Sequence, residues 1–261
     1  QHLNEIALEI GIAAEKVRPI LERRWLGSEN EEDYSTSSVK YRAEEYEALS
    51  GEVSLPGDDY GDFLREGTNI DDYAIPHVKS ISLIHKVREV QALTGFSRLK
   101  PVESDGNTDE SEHIVSVKEK ETNWYPAYEV RGEGIFVEFS NGDIEAWVDR
   151  FPDINSRVEV LNENYQKSFI GSSRPRRITA KFLLLHTISH LLIKQLSFVC
   201  GYSIASLKER LYCSEEKDGK QMAGILIYTA SGDAEGTMGG LARQGRSDIF
   251  PGIFKKAVES A

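Results

Sequence analysis

The stretch that decides the fold is Lys181-Phe182-Leu183-Leu184-Leu185-His186-Thr187-Ile188-Ser189-His190-Leu191-Leu192-Ile193-Lys194-Gln195-Leu196-Ser197-Phe198-Val199. It is apolar almost all round, so it predicts a helix in the middle of a domain. Thr179 or a neighbour supplies the N-cap, and Gly201 supplies the stop. It is also the one candidate for a membrane span. His186, His190, Lys194 and Gln195 would be costly at bilayer depth, so a buried core helix is the reading and no membrane partner is expected. Working outward, Ala223-Gly224-Ile225-Leu226-Ile227-Tyr228-Thr229-Ala230 is a short apolar run of buried-strand type. A Gly-rich turn follows it, reaching Gly240, and a final helix is expected from about Ser247.

Upstream, residues 124–139 form the strongest β region, two strands flanking Arg131-Gly132-Glu133. Asn141-Gly142 marks a turn, and residues 144–151 and 156–170 have helical spacing. Ser203 can cap a second helix over 203–212, and 217–221 is a polar turn. Val78, Ile81, Ile84, Val87, Val90 and Leu93 drift by threes, which predicts a helix or helix pair over 77–93 with Gly95 as its stop. Residues 114–117 suit a strand, 103–113 an acidic loop, and 51–75 an irregular segment. Residues 42–49 suit a short charged helix, 28–35 an acidic linker, and 3–25 a helical start compatible with a helix-turn-helix. The expectation is an α+β or mixed α/β fold: a central apolar helix on a small mixed sheet, with a helical N-terminal segment. It divides as 1–27 helical, 28–74 acidic linker, and 75–261 the main domain.

With 261 residues, 39% of them hydrophobic and 28% charged, the chain can fill a sizeable core. Two cysteines, Cys200 and Cys213, exclude a disulfide scaffold and a four-thiolate zinc site, and suit free thiols in the cytoplasm. The net charge of -12 is unevenly placed. Residues 28–72 carry 14 acids against 3 bases, and 103–121 carry 7 against 2, so the remainder is mildly basic. The chain opens on Gln1 without a signal stretch and ends in a helix without a stop signal, so truncation at both ends is expected.

Several constellations could carry chemistry. On the long helix, His186, Ser189, His190, Lys194 and Ser197 share one stripe at offsets of three and four. A hydrogen-bonded structural stripe is the plainer reading. His186 and His190 also have the spacing of a two-histidine metal site, but Thr187 stands where the H-E-x-x-H pattern has its base, and a third ligand is needed. The turn with Asp233, Glu235, Gly236, Thr237, Gly239 and Gly240 could cradle an anion, yet it lacks the Walker lysine and its two acids repel phosphate. A tight loop packed against the helix is the favoured reading. Lys167, Arg174, Arg176, Arg177 and Lys181 are five bases without an acid between them, suited to a phosphate backbone, with Tyr165 and Phe169 interleaved as stacking candidates. Glu129, Glu133 and Glu138 beside Arg131 are read as surface ion pairs before acid–base chemistry.

Ordered blocks give a resemblance. Residues 184–196, then Cys200-Gly201-Tyr202-Ser203 and Leu207-Lys208-Glu209-Arg210-Leu211-Tyr212, resemble the C-terminal region of the DrmB family of the DISARM anti-phage system. Residues 224–229 and Gly236-Thr237-Met238-Gly239-Gly240-Leu241 extend the likeness, as do 87–90, 93–99, 124–127 and 132–136, so that it covers roughly 75–250. It implies a domain related to the MrfA-like zinc-binding domain found with DNA helicases, and a helicase-type, DrmA-like ATPase as partner. The family's cysteine cluster is expected beyond the final helix, so no cofactor is expected in this fragment, and zinc would be possible in the full-length protein.

The function expected from this is a non-catalytic, cytoplasmic DNA-binding and scaffolding subunit of a helicase-containing defence complex. The five bases would touch DNA. His186, His190, Lys194, Asp233, Glu235, Gly236, Thr237, Gly239 and Gly240 would form a buried polar junction. The alternatives are a metal-dependent nuclease or hydrolase using His186, His190, Asp233 and Glu235, and a protein-interaction module docking through residues 28–72.

Overall fold

The computed structural model describes residues 31–53, 61–96, 115–118, 122–168, 177–215, 219–229 and 240–261. The expected helical start over 3–25, the 103–113 loop, Arg174, Arg176 and most of the Gly-rich turn lie outside the described residues. The chain divides into two compact units, Gln1–Ser38 and Val39–Ala261, and the second holds the sheet.

Five strands make that sheet: β1 (Leu64–Gly67), β2 (Val78–Ala92), β5 (Ala127–Phe139), β6 (Leu207–Ser214) and β7 (Met222–Thr229). They lie in the order β1-β2-β5-β7-β6 and every pairing is antiparallel, so the sheet is not mixed as expected. β3 (Gly95–Phe96) and β4 (Val115–Ser116) form a separate two-stranded ladder, which agrees with the strand expected at 114–117. The helices are α1 (Glu31–Ser50), α2 (Asn141–Arg150), α3 (Asp153–Lys167), α4 (Ala180–Cys200), α5 (Gly240–Gln244) and α6 (Phe250–Glu259). The architecture is α+β, with helices on both faces of the sheet.

One face carries Ile81, Ile135, Val137, Ala223, Ile225 and Ile227, packed with Leu185, Leu192 and Leu196 of α4 and with Phe250 and Ile253 of α6. The other carries Ile84, Phe136, Tyr212, Met222, Leu226 and Tyr228, packed with Tyr46 and Leu49 of α1. Cover on both faces explains why β7 is buried at every position and reads as a continuous apolar run.

Tertiary context overturns the helix expected over 77–93, which is the long strand β2. Two of its three-residue steps come from register irregularities, one between Val78 and Ser80 and one between Ile84 and Val87. Each extra residue restores parity, so Val78 and Ile81 reach one core and Ile84 and Val87 the other. The expected helix at 203–212 is also a strand. Ser203 does cap, accepting from Ala205 N, but only a 3-10 turn, Ile204–Ser206, precedes β6. In β6, Leu207 and Leu211 keep the same face at a spacing of four, as they would in a helix. The two strands expected around Arg131-Gly132-Glu133 are one continuous strand. A Cβ on Gly132 would lie 1.7 Å from Thr229 O, so the glycine permits close approach of β7 and does not mark a turn.

Asn141 and Gly142 open α2 instead of a turn, with Ser140 Oγ accepting from Asp143 N. α1 is longer than the expected 42–49 helix and takes in part of the expected acidic linker, while 51–75 contains β1 and a 3-10 turn, Ile70–Asp72. The sheet therefore includes residues upstream of 75. Two joints hold α1. Arg65 Nε donates to Leu49 O (2.8 Å) and Nη2 to Ser50 O (2.7 Å), satisfying carbonyls that the helix end leaves open. Glu138, 3% exposed, accepts from Tyr46 Oη, Ser80 Oγ and Lys79 Nζ at 2.7, 2.7 and 2.8 Å.

α4 has the predicted ends. Thr179 Oγ1 accepts from Phe182 N, and Gly201 sits at φ 73°, a left-handed cap that donates to Ser197 O. It is not buried all round. Leu185, Ser189, Leu192, Ile193 and Leu196 face the sheet and α6, while Phe198 is 85% exposed. By length and composition α4 could cross a membrane, and only 28% of that apolar window is buried.

Candidate functional site

The polar stripe of α4 meets β6. His186 and His190 lie one helical turn apart, and their Nε2 atoms approach to 3.0 Å. Glu209 reaches them from β6, its Oε1 3.3 Å from His186 Nε2 and 3.6 Å from His190 Nε2. Its other oxygen, Oε2, lies within hydrogen-bond reach of Ser189 Oγ, whose single proton can go there or to His186 O at 2.9 Å. Phe182 stacks on His186 at 5.5 Å between centroids. Among the described residues, the two imidazole nitrogens and the Glu209 oxygen are donor atoms close enough together to hold a metal ion, all within 4.8 Å of one another. The two histidines form one wall of a shallow, mostly apolar cleft of about 560 Å³, with Thr187, Leu191, Lys194 and Ile204.

This placement corrects the expected buried junction. The His186 and His190 side chains are 41% and 62% exposed, and Lys194 is exposed. Only Ser189 of the stripe is fully buried, and Ser197 Oγ turns away to donate to Tyr202 O at 2.6 Å. Asp233, Glu235, Gly236, Thr237 and Gly239 lie outside the described residues. Gly240 opens α5 beside Tyr202: a Cβ there would meet Tyr202 Oη at 3.0 Å.

A buried polar junction does exist, and it is built on Glu133. That carboxylate, 2% exposed, accepts from Leu241 N (2.8 Å) and Ala242 N (3.2 Å) at the start of α5, and from Tyr202 Oη at 3.4 Å. It supplies the acceptor that the first amides of a helix lack. Cys200 is near enough to feel it. Burial first, and then the Glu133 carboxylate, push the Cys200 thiol up to about 11, which favours the protonated thiol at neutral pH. Cys200 and Cys213 are both free thiols.

The basic residues do not share one environment. Lys181 is buried; its ammonium donates to Ser214 O at 2.7 Å and lies 3.7 Å from Glu215, which turns it into a tie between α4 and β6 and takes it off the surface. Lys167 and Arg177 are exposed and pair with Glu163 (3.7 Å) and Glu159 (3.4 Å), both on α3. The expected surface pairing holds for Glu129 only. Arg131 and Arg88 grip it at 2.8 Å each, and the Arg131 hydrogen bond is the main reason its carboxyl is held below the usual range. Glu133 and Glu138 are interior. The acids of 45–52 are also engaged: Glu45 pairs bidentately with Arg210 at 2.6 and 2.7 Å, and Lys220 joins Glu47 at 2.9 Å and Glu52.

Reading the sequence missed Glu209. The signal was its parity with Leu207 and Leu211, which puts it on the α4 side once residues 207–214 are a strand.

Comparison with known proteins extends the earlier resemblance. Residues 188–261 match the family described as the MrfA Zn-binding domain. Over 239 residues the chain is 37% identical to the DISARM protein DrmB of Bacillus paralicheniformis, covering 90% of this chain and 40% of that protein. The chain thus spans about two-fifths of the length of the curated relative it matches. The domain's description implies zinc. Two cysteines cannot supply a four-thiolate site, whereas His186, His190 and Glu209 have the donor atoms of a three-ligand one.

Proposed function

From a likeness to DrmB that runs through nine-tenths of the chain, we propose that this polypeptide serves a DISARM anti-phage system as a non-catalytic DNA-binding and scaffolding component. The 37% identity is the observation that carries the reading. In this role it works in the cytoplasm beside a helicase-type, DrmA-like ATPase. DNA is met through Lys167, Arg174, Arg176 and Arg177. Among the described residues, Lys167 and Arg177 pair with exposed glutamates, and such pairs contribute about 1 kcal/mol or less, so a phosphate can displace them.

The test is a salt series of DNA binding, single- and double-stranded, for the wild type and for Arg174→Ala/Arg176→Ala/Arg177→Ala. Each lost phosphate contact lowers the slope of log K against log salt by about 0.9 on duplex, so three lower it by about 2.7. Equal binding by the triple variant at low and moderate salt sinks the DNA-contact assignment. Co-purification with the helicase-type ATPase tests the scaffolding role separately. A hydrolase is the second reading, favoured by the third ligand that Glu209 offers to the histidine pair. It requires cleavage of DNA when magnesium, manganese or zinc is added.

A further inference from the structure

We infer that His186, His190 and Glu209 form a binding site for one divalent transition-metal ion of the zinc class. It is separate from any thiolate site and independent of the DNA-contact reading above.

The geometry comes first. Three donor atoms from two elements converge, with edges of 3.0, 3.3 and 3.6 Å. Ligands about 2.0–2.1 Å from a tetrahedral zinc ion lie about 3.3 Å from one another. The three edges bracket that value, so an ion fits among the donors with small side-chain adjustments.

Hydrogen bonding alone serves this cluster poorly. Each imidazole nitrogen is either a donor or an acceptor in the neutral ring. If both Nε2 atoms carry hydrogen and point at Glu209 Oε1, two N–H groups face each other across 3.0 Å. If one of them is bare, it accepts the other ring's N–H at 3.0 Å, and that single hydrogen is then the most that Glu209 Oε1, at 3.3 and 3.6 Å, can share. A cation in the centre accepts all three lone pairs at once.

Supporting interactions orient the third ligand. Ser189 is fully buried, and its hydroxyl, within reach of both His186 O and Glu209 Oε2, can donate to Oε2 and so leave Oε1 to face the two imidazoles. A hydrogen bond to the remote oxygen of a ligating carboxylate is the usual way such a ligand is held in place. Phe182 restricts the His186 ring from its face. The donor set, two imidazole nitrogens and one carboxylate oxygen, selects zinc, cobalt or nickel over calcium and magnesium, which prefer all-oxygen sites. Three protein ligands leave a position open, and the histidines line a cleft from which water or another ligand can fill it.

The experiment uses the full chain, stripped with chelator and then titrated with Co²⁺ while its visible d–d bands are recorded, followed by Zn²⁺ competition. The expected result is one ion per chain, with tetrahedral or five-coordinate bands and no thiolate-to-cobalt charge transfer. His186→Ala, His190→Ala and Glu209→Gln each weaken binding by at least about 10-fold, and Ser189→Ala weakens it by about 10–100-fold through the carboxylate it orients. Cys200→Ser/Cys213→Ser binds as the wild type does. Thermal melts of the apo variants confirm folding, and the two histidine positions are exposed enough to tolerate alanine. Absence of a stoichiometric ion, thiolate charge transfer, or undiminished binding in the folded His190→Ala and Glu209→Gln variants overturns the site.

Discussion

Replacing Tyr46 by Phe removes one hydroxyl from the joint between α1 and the sheet and leaves the ring. The ring keeps its edge contact with Phe136 at 5.6 Å and its tilted contact with Tyr212 at 5.8 Å. What is lost is the 2.7 Å hydrogen bond to Glu138, which retains Ser80 and Lys79. A hydrogen bond to a charged group contributes about 1.5–3 kcal/mol. For a unit of this size each kcal/mol shifts the melting temperature by about 2–4 °C, so Tyr46→Phe should melt about 3–12 °C lower at neutral pH.

The same bond predicts a pH dependence. Burial alone would raise the Glu138 carboxyl, but hydrogen bonds from Lys79, Ser80 and Tyr46 outweigh it and hold the group below the usual carboxylate range. A carboxyl depressed in the folded state contributes stability that is fully present above its unfolded value, about 4.3, and is lost as pH falls through the lower folded value. Tyr46→Phe removes part of that depression. The gap between wild type and variant is therefore full near neutrality and narrows below about pH 4. Melting followed by circular dichroism across that range, with Glu138→Gln and the double variant completing a cycle, measures it. A gap under about 1 °C at neutral pH, or one that widens on acidification, refutes the account.

Two further outcomes test the packing. Gly132→Ala forces β5 away from Thr229 O and should cost about 3 kcal/mol or more in urea denaturation; a wild-type midpoint would mean that the strands do not approach so closely. Glu133→Gln keeps the shape of the acceptor at the start of α5 but removes its charge, worth about 1–2 kcal/mol there, so amide exchange at residues 241 and 242 should accelerate; unchanged exchange contradicts the capping role.

Much of the α4 side was legible locally. Thr179 and Gly201 marked the ends of α4 because capping is chemistry of adjacent residues, and the run at 223–230 marked β7 because both its faces are covered. β2 and β6 were misread for different reasons. In β2, two register irregularities supplied two of the three-residue steps, and in β6 a spacing of four keeps one face in either conformation. The error at β6 had a functional consequence, since a helix over 203–212 conceals which way Glu209 points.

The histidine pair shows the same division. Its i,i+4 spacing is a property of one helix, so the sequence by itself determined that His186 and His190 would share a face. Whether that face was buried, and whether a third donor would meet it, depended on the strand that α4 packs against. Only the tertiary structure decided this, by laying β6 beside α4 with Glu209 on the facing side, 19 residues beyond His190 in the chain but 3.6 Å from it in space.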